Sequence, residues 1–137
     1  IAADGEGATK MLECTVNGAV NKQTARIVAK SVITSSLFKA AMFGEDANWG
    51  RILCAIGYAD AEFDINKVDV CLGSLKGEIA VCKNGAGVSF SEKIAKEILS
   101  EKIIFINVNL NDGTDFATAW GCDLTYDYVK INGDYRS

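Results

Sequence analysis

The residues whose types and spacing could do chemistry lie at the two ends of this chain. Near the start, Asp4-Gly-Glu-Gly-Ala-Thr-Lys10 sets a carboxylate, Glu6, between two glycines. Lacking side chains, Gly5 and Gly7 let a ligand come close to the backbone, and Glu6 is then the group presented to it. The run is not a phosphate loop, because a Walker A loop ends Gly-Lys-Ser/Thr and this one ends Ala8-Thr9-Lys10. It is not a dinucleotide fingerprint either, since that motif follows a strand and opens a helix, whereas this one precedes a strand. A plain turn into the first strand is the structural alternative. At the other end, residues 118–137 interleave Trp120, Tyr126, Tyr128 and Tyr135 with Asp123, Asp127 and Asp134. Aromatic rings bury much area at low entropic cost, so this terminus is expected to be docked and able to deliver residues to a site. Trp120 and the tyrosines read as core and rim packing. Asp123 and Asp127 either pair with Arg51 or Arg136 or are solvated, and Asn132-Gly133 reads as a turn.

Other chemistries are excluded. There is no His, which removes the usual general base, so a Ser or Thr nucleophile would need a Lys or an α-amine to activate it. Cys14, Cys54, Cys71, Cys82 and Cys122 are widely spaced with no Cys-x-x-Cys pair, which argues against zinc and for free, mostly buried thiols. No metal or cofactor is expected. The net charge is −4 with no basic cluster, so nucleic acid is not an expected partner. No apolar run approaches the ~20 residues of a membrane span. The first residues lack the pattern of a signal peptide, and the chain starts abruptly, as if cut from something longer. In Gly44-Glu-Asp-Ala-Asn-Trp-Gly-Arg51 the acidic residues would repel an anion from the helix start, so Asp46 and Asn48 read as structural.

These residues need elements to position them. At 137 residues, 49% apolar and 23% charged, the chain fits one domain spanning 1–137. Leu12, Cys14 and Val16 alternate with polar neighbours as a strand. Residues 22–35 place Ala25, Val28, Ala29, Val32 and Ile33 on one helical face, with Asn21 as cap. Residues 37–43 read as a strand. A helix starts near Asp46 and carries Trp49, Ile52, Leu53 and Ile56 inward, with Gly57 as its stop. Residues 68–72 and 79–82 pair as strands, and Ser89-Phe-Ser-Glu92 opens a helix over about 91–100. Residues 103–110 and 114–124 form a hairpin about Asp112-Gly113, with Phe116, Thr118, Trp120, Cys122 and Leu124 on one face. The fold class is α+β, with a mainly antiparallel sheet and about three helices.

Three long stretches carry a resemblance: the glycine-rich run 4–10, residues 43–51, and Thr118-Ala-Trp-Gly-Cys-Asp-Leu-Thr-Tyr-Asp-Tyr-Val-Lys-Ile-Asn132. In order and spacing they resemble the β chain of the bifunctional ornithine acetyltransferase/glutamate N-acetyltransferase family of arginine biosynthesis, over the whole chain. The resemblance implies an αββα-type, self-cleaving, N-terminal-nucleophile-like acetyltransferase of the cytoplasm. In that family a precursor cuts itself before a Thr, which takes acetyl from N-acetylornithine and passes it to glutamate without a cofactor; some members also accept acetyl-CoA. The family's Thr and oxyanion-hole residues lie upstream of the glycine-rich run. The chain therefore resembles the C-terminal part of the β chain and is expected to be inert alone. Its implied partners are the α chain and the rest of the β chain, in an α2β2 or larger assembly. The family's substrate-contacting residues map to Glu6, Asn132 and Ser137. A stand-alone amino-acid-binding or regulatory module, and a fragment of a related N-terminal-nucleophile hydrolase, are the alternatives.

Overall fold

Leu12, Cys14 and Val16, spaced two apart, all point to one side of β1 (Met11–Ala19) and are fully buried. The alternation expected from sequence is therefore real, and it sets the orientation of the whole sheet. Residues 10–123 are described by the computed structural model. After β1 come α1 (Lys22–Ile33), α2 (Ser36–Phe43) and α3 (Trp49–Gly57), then a 3₁₀ turn over Ile65–Lys67. β2 (Asp69–Ser74), β3 (Gly77–Lys83) and the short β4 (Ala86–Gly87) follow. The order ends with α4 (Glu92–Leu99), β5 (Ile103–Asn109) and β6 (Asp115–Cys122).

The six strands form one sheet in the order β4-β3-β2-β5-β1-β6. Only β1 and β5 run parallel; the other pairings are antiparallel, as the α+β reading expected. One face carries the core. Leu12 lies beside Ile104, Cys14 beside Ile106 and Val16 beside Val108, while Val70 and Leu72 of β2 continue the same layer. Ala25, Val28, Ala29 and Val32 of α1, Phe38 and Met42 of α2, Ile52 and Ile56 of α3, and Ala95 and Leu99 of α4 close over it.

The opposite face is partly exposed among the described residues. Trp120 Nε1 donates to Glu13 Oε1 at 2.8 Å, the Thr15 and Thr118 hydroxyls meet at 3.0 Å, and Asn107 Nδ2 donates to Glu78 Oε2 at 2.9 Å. Phe116, Thr118, Trp120 and Cys122 share this side, as the alternation expected, but it is not the core side. Trp120 is 56% exposed and so belongs to the rim. Leu124 lies outside the described residues.

The structure corrects three expectations. Residues 37–43 are not a strand: Ser35 caps α2 by accepting from the Phe38 N–H at 3.3 Å, and Phe38, Ala41 and Met42 bury one helical face. There are thus four helices among the described residues. Next, β5 and β6 do not pair with each other. β1 lies between them, and the connection crosses its end, with Leu110 N–H donating to Asn17 O at 2.9 Å and Asp112 N–H to Gly18 O at 2.7 Å. Three-stranded pairing gives β1 hydrogen-bonded neighbours on both sides, which a β5–β6 hairpin would have denied it. Finally, two helix caps shift. Asn48, not Asp46, caps α3 by accepting from Arg51 N–H at 3.1 Å, and Ser91, not Ser89, caps α4 by accepting from Ile94 N–H at 3.2 Å. Gly57 is the last residue of α3 rather than its stop, and Tyr58 takes the capping position.

Gly85 makes a turn no other residue fits. Its φ is +74°, its N–H donates to Val68 O at 2.8 Å, and a Cβ there would overlap the Ile65 carbonyl oxygen. Gly85→Ala is expected to lower unfolding free energy by about 2–3 kcal/mol, from left-handed strain plus overpacking. Chemical denaturation checks this, and a loss under about 0.5 kcal/mol, the range of an ordinary surface change, would contradict it.

All five cysteines are free. Burial pushes the Cys14 thiol up to about 12. Burial first, and then nearby Asp69, push Cys82 up to about 11. Cys54 on α3 is exposed. A thiol reagent at about pH 8 should therefore modify Cys54 first and spare Cys14 and Cys82 until unfolding, because the thiolate is the reactive form. Equal labelling rates for Cys14 and Cys54 in the native protein would contradict this burial pattern.

Candidate functional site

Glu6, Asn132 and Ser137 all lie outside the described residues, as do Asp127 and Arg136. What the structure describes is the pair of points from which the segments bearing them depart. These points are adjacent. The Lys10 N–H donates to Asp123 Oδ1 at 3.0 Å, and the Asp123 N–H donates back to Lys10 O at 3.1 Å. The reciprocal pair extends the β1–β6 ladder, in which Met11 lies opposite Cys122. Glu6 precedes Lys10 by four residues, so its Cα is within about 14 Å of Lys10 at full extension. Asn132 follows Asp123 by nine residues, a reach of about 30 Å.

Lys10 and Asp123 are both buried, at 7% and 0% exposure. The Lys10 ammonium donates to Leu99 O at 2.7 Å and to Glu101 O at 3.2 Å, and lies 3.7 Å from Glu45 Oε2. Leu99 is the last residue of α4, where carbonyls lack intrahelical partners and the helix dipole favours a cation. Glu45 sits in the turn after α2 with φ +54°, and its other oxygen is 3.4 Å from Lys96 Nζ on α4. Asp123 is thus buried rather than solvated; Arg51 Nη1 donates to Leu37 O at 3.0 Å, and the Arg136 alternative lies outside the described residues.

Each of the three stretches that carried the sequence resemblance supplies one member of this cluster: Lys10, Glu45 and Asp123. Sequence reading did not bring these three together, yet a signal was present. Lys10 is in phase with Leu12, Cys14 and Val16, and Asp123 is in phase with the buried Ala117 and Gly121, so both continue core-facing registers. Asp46 and Asn48 are structural as read, with Asn48 capping α3 and its Nδ2 donating to Asp46 Oδ2 at 3.4 Å. The described residues contain no group of three or more His, Cys, Asp or Glu fit to hold a metal ion. No described helix is long and apolar enough to cross a membrane.

A helix-backed mixed sheet of this topology defines an α+β domain, consistent with an N-terminal-nucleophile-type fold, and a solved structure shares it. The crystal structure of the arginine biosynthesis bifunctional protein ArgJ from Bacillus halodurans matches with a TM-score of 0.89 at 48% identity, covering 98% of this chain and 62% of that one. The chain belongs to the ArgJ family, which matches residues 1–137. Arginine biosynthesis bifunctional proteins of Caldanaerobacter subterraneus subsp. tengcongensis and Clostridium acetobutylicum are each 58% identical over all 137 residues. The chain spans about a third (34%) of the length of those relatives.

Proposed function

We propose that this chain is the C-terminal part of the β chain of a glutamate N-acetyltransferase/ornithine acetyltransferase, and that it lines the substrate pocket with Glu6, Asn132 and Ser137. The observation that carries the reading is the Lys10–Asp123 pair, which starts the Glu6-bearing and the Asn132- and Ser137-bearing segments from one place. Convergence of three stretches far apart in sequence on that place, in a chain of the ArgJ family, supports it further.

The chemistry suits the residues. A Thr hydroxyl from another part of the protein attacks the acetyl carbonyl of N-acetylornithine. The C–N bond breaks, ornithine leaves with the proton, and an acetyl-Thr ester remains. The glutamate amine then attacks that ester, regenerating the Thr hydroxyl and giving N-acetylglutamate. Both substrates are charged amino acids, so a carboxylate, an amide and a hydroxyl can hold them by charge-assisted hydrogen bonds. The α chain and the rest of the β chain complete the site, in an α2β2 or larger assembly in the cytoplasm, and the transfer needs no cofactor.

The test is to purify the complete protein with its associated chains and incubate it with N-acetylornithine and glutamate, without acetyl-CoA. The expected result is equal formation of ornithine and N-acetylglutamate. Intact masses should show one acetyl group on a chain segment other than residues 1–137. A lone 14.6 kDa species that binds amino acids but transfers nothing would overturn the proposal in favour of a stand-alone module. Hydrolysis of a peptide or amide without transfer would favour a related hydrolase.

A further inference from the structure

We infer that Lys10 is a positioning residue, whose buried ammonium, anchored through Glu45 and the end of α4, fixes where both substrate-contacting segments leave the fold. This rests on the proposed function above. The ammonium donates two hydrogen bonds, to Leu99 O and Glu101 O, and forms an ion pair with a Glu45 carboxylate oxygen. It is therefore committed within the protein and is not a substrate contact. The main chain of the same residue is joined twice to Asp123. Side chain and backbone of one residue thus link the start of β1, the end of β6, the end of α4 and the turn after α2. A long aliphatic stem running from a pinned ammonium to a pinned peptide leaves the backbone at Lys10 little freedom to shift. Because Asp123 is paired to that backbone, a displacement at Lys10 moves both exits together.

A lysine that merely filled the core would affect folding alone. A positioning lysine also affects substrate binding, and for both substrates, since both use the same pocket in turn. Displaced binding groups weaken ground-state and transition-state binding alike, which raises KM with little change in kcat.

The experiment uses the complete protein and three variants, Lys10→Met, Glu45→Gln and Glu6→Gln, with steady-state kinetics for each substrate and a thermal unfolding midpoint. Lys10→Met is expected to raise KM for N-acetylornithine and for glutamate by about tenfold each, with kcat of the folded enzyme changed by less than about threefold. Glu45→Gln keeps the shape of a partly exposed side chain, so it reports even if Lys10→Met fails to fold. It should move both KM values in the same direction by about two- to threefold. A fall in the unfolding midpoint with both KM values unchanged in every folded variant of Lys10 and Glu45 would overturn the inference and leave a purely structural lysine. Glu6→Gln separates the two layers of the argument. Raised KM in Glu6→Gln with unchanged KM in the Lys10 and Glu45 variants refutes the anchor and keeps the site; the reverse refutes the role of Glu6 and keeps the anchor. A wild-type protein that transfers no acetyl group refutes the proposed function, and the anchor with it.

Discussion

Replacing Glu6 by Gln in the complete protein is expected to lower kcat/KM for acetyl transfer by about ten- to a hundredfold. The substitution keeps the size and one acceptor oxygen but removes the negative charge. Hydrogen bonds to charged groups contribute about 1.5–3 kcal/mol, and each 1.4 kcal/mol is about a factor of ten, which sets that range. Glu6 is carried between two glycines, so neither adjacent residue has a side chain to stand in for it. The effect should show with both N-acetylornithine and glutamate, because one pocket serves both halves of the reaction. A change in unfolding free energy below about 0.5 kcal/mol in the same variant would separate a lost contact from a lost fold. Unchanged kcat and unchanged KM for both substrates would remove Glu6 from the pocket.

Phe38→Ala is expected to have the largest effect on stability, a loss of about 3–5 kcal/mol. Phe38 is fully buried, and it is the largest side chain that α2 contributes to the core shared by all four helices and the sheet. Deleting its ring removes apolar contacts and leaves a cavity whose walls cannot fully collapse. Denaturant titration should show a lower midpoint at constant m value, and the enzyme that remains folded should keep its KM values. A loss below about 1 kcal/mol would mean that α2 is not docked on the core as described, since fully buried Phe does not truncate so cheaply.

Phe38 also marks where sequence reading reached its limit. Residues 37–43, Leu-Phe-Lys-Ala-Ala-Met-Phe, are a short run with one charge, and periodicity alone cannot separate a strand from a helix in so few residues. Ser35 was the deciding feature, as a cap just ahead of the run. By contrast α1, α3 and α4 were legible because their apolar residues recur at i, i+3 and i+4 around clear polar faces. The strands were legible too, but their partners were not. Asp112-Gly113 looks like a local hairpin turn, whereas pairing is decided by which strand has two edges to fill and an apolar face to bury. β1 met both conditions and took the place between β5 and β6.

The site divides in the same way. The family resemblance located the three stretches that matter, but chemistry drew attention to Glu6, Asn132 and the aromatic block rather than to Lys10, Glu45 and Asp123. The buried ones carry the geometry. Lys10 read as the failed lysine of a phosphate loop, Glu45 as an anion repeller, and Asp123 as either an arginine partner or a solvated charge. A charged residue in phase with a core-facing strand register is a candidate buried partner, because a charge is tolerated inside only when paired and hydrogen-bonded. Lys10 and Asp123 both satisfy that rule, 113 residues apart in the chain.

A crystal structure of the complete protein with N-acetylornithine bound tests the pocket assignment of Glu6, Asn132 and Ser137. The ligand is expected beside the segments that depart from Lys10 and Asp123. The Glu6 carboxylate, the Asn132 amide and Ser137 should each lie within about 3.2 Å of a ligand polar atom, and the Lys10 ammonium should remain on Leu99, Glu101 and Glu45 without touching the ligand. A ligand bound elsewhere, with none of Glu6, Asn132 and Ser137 in contact, would contradict that assignment.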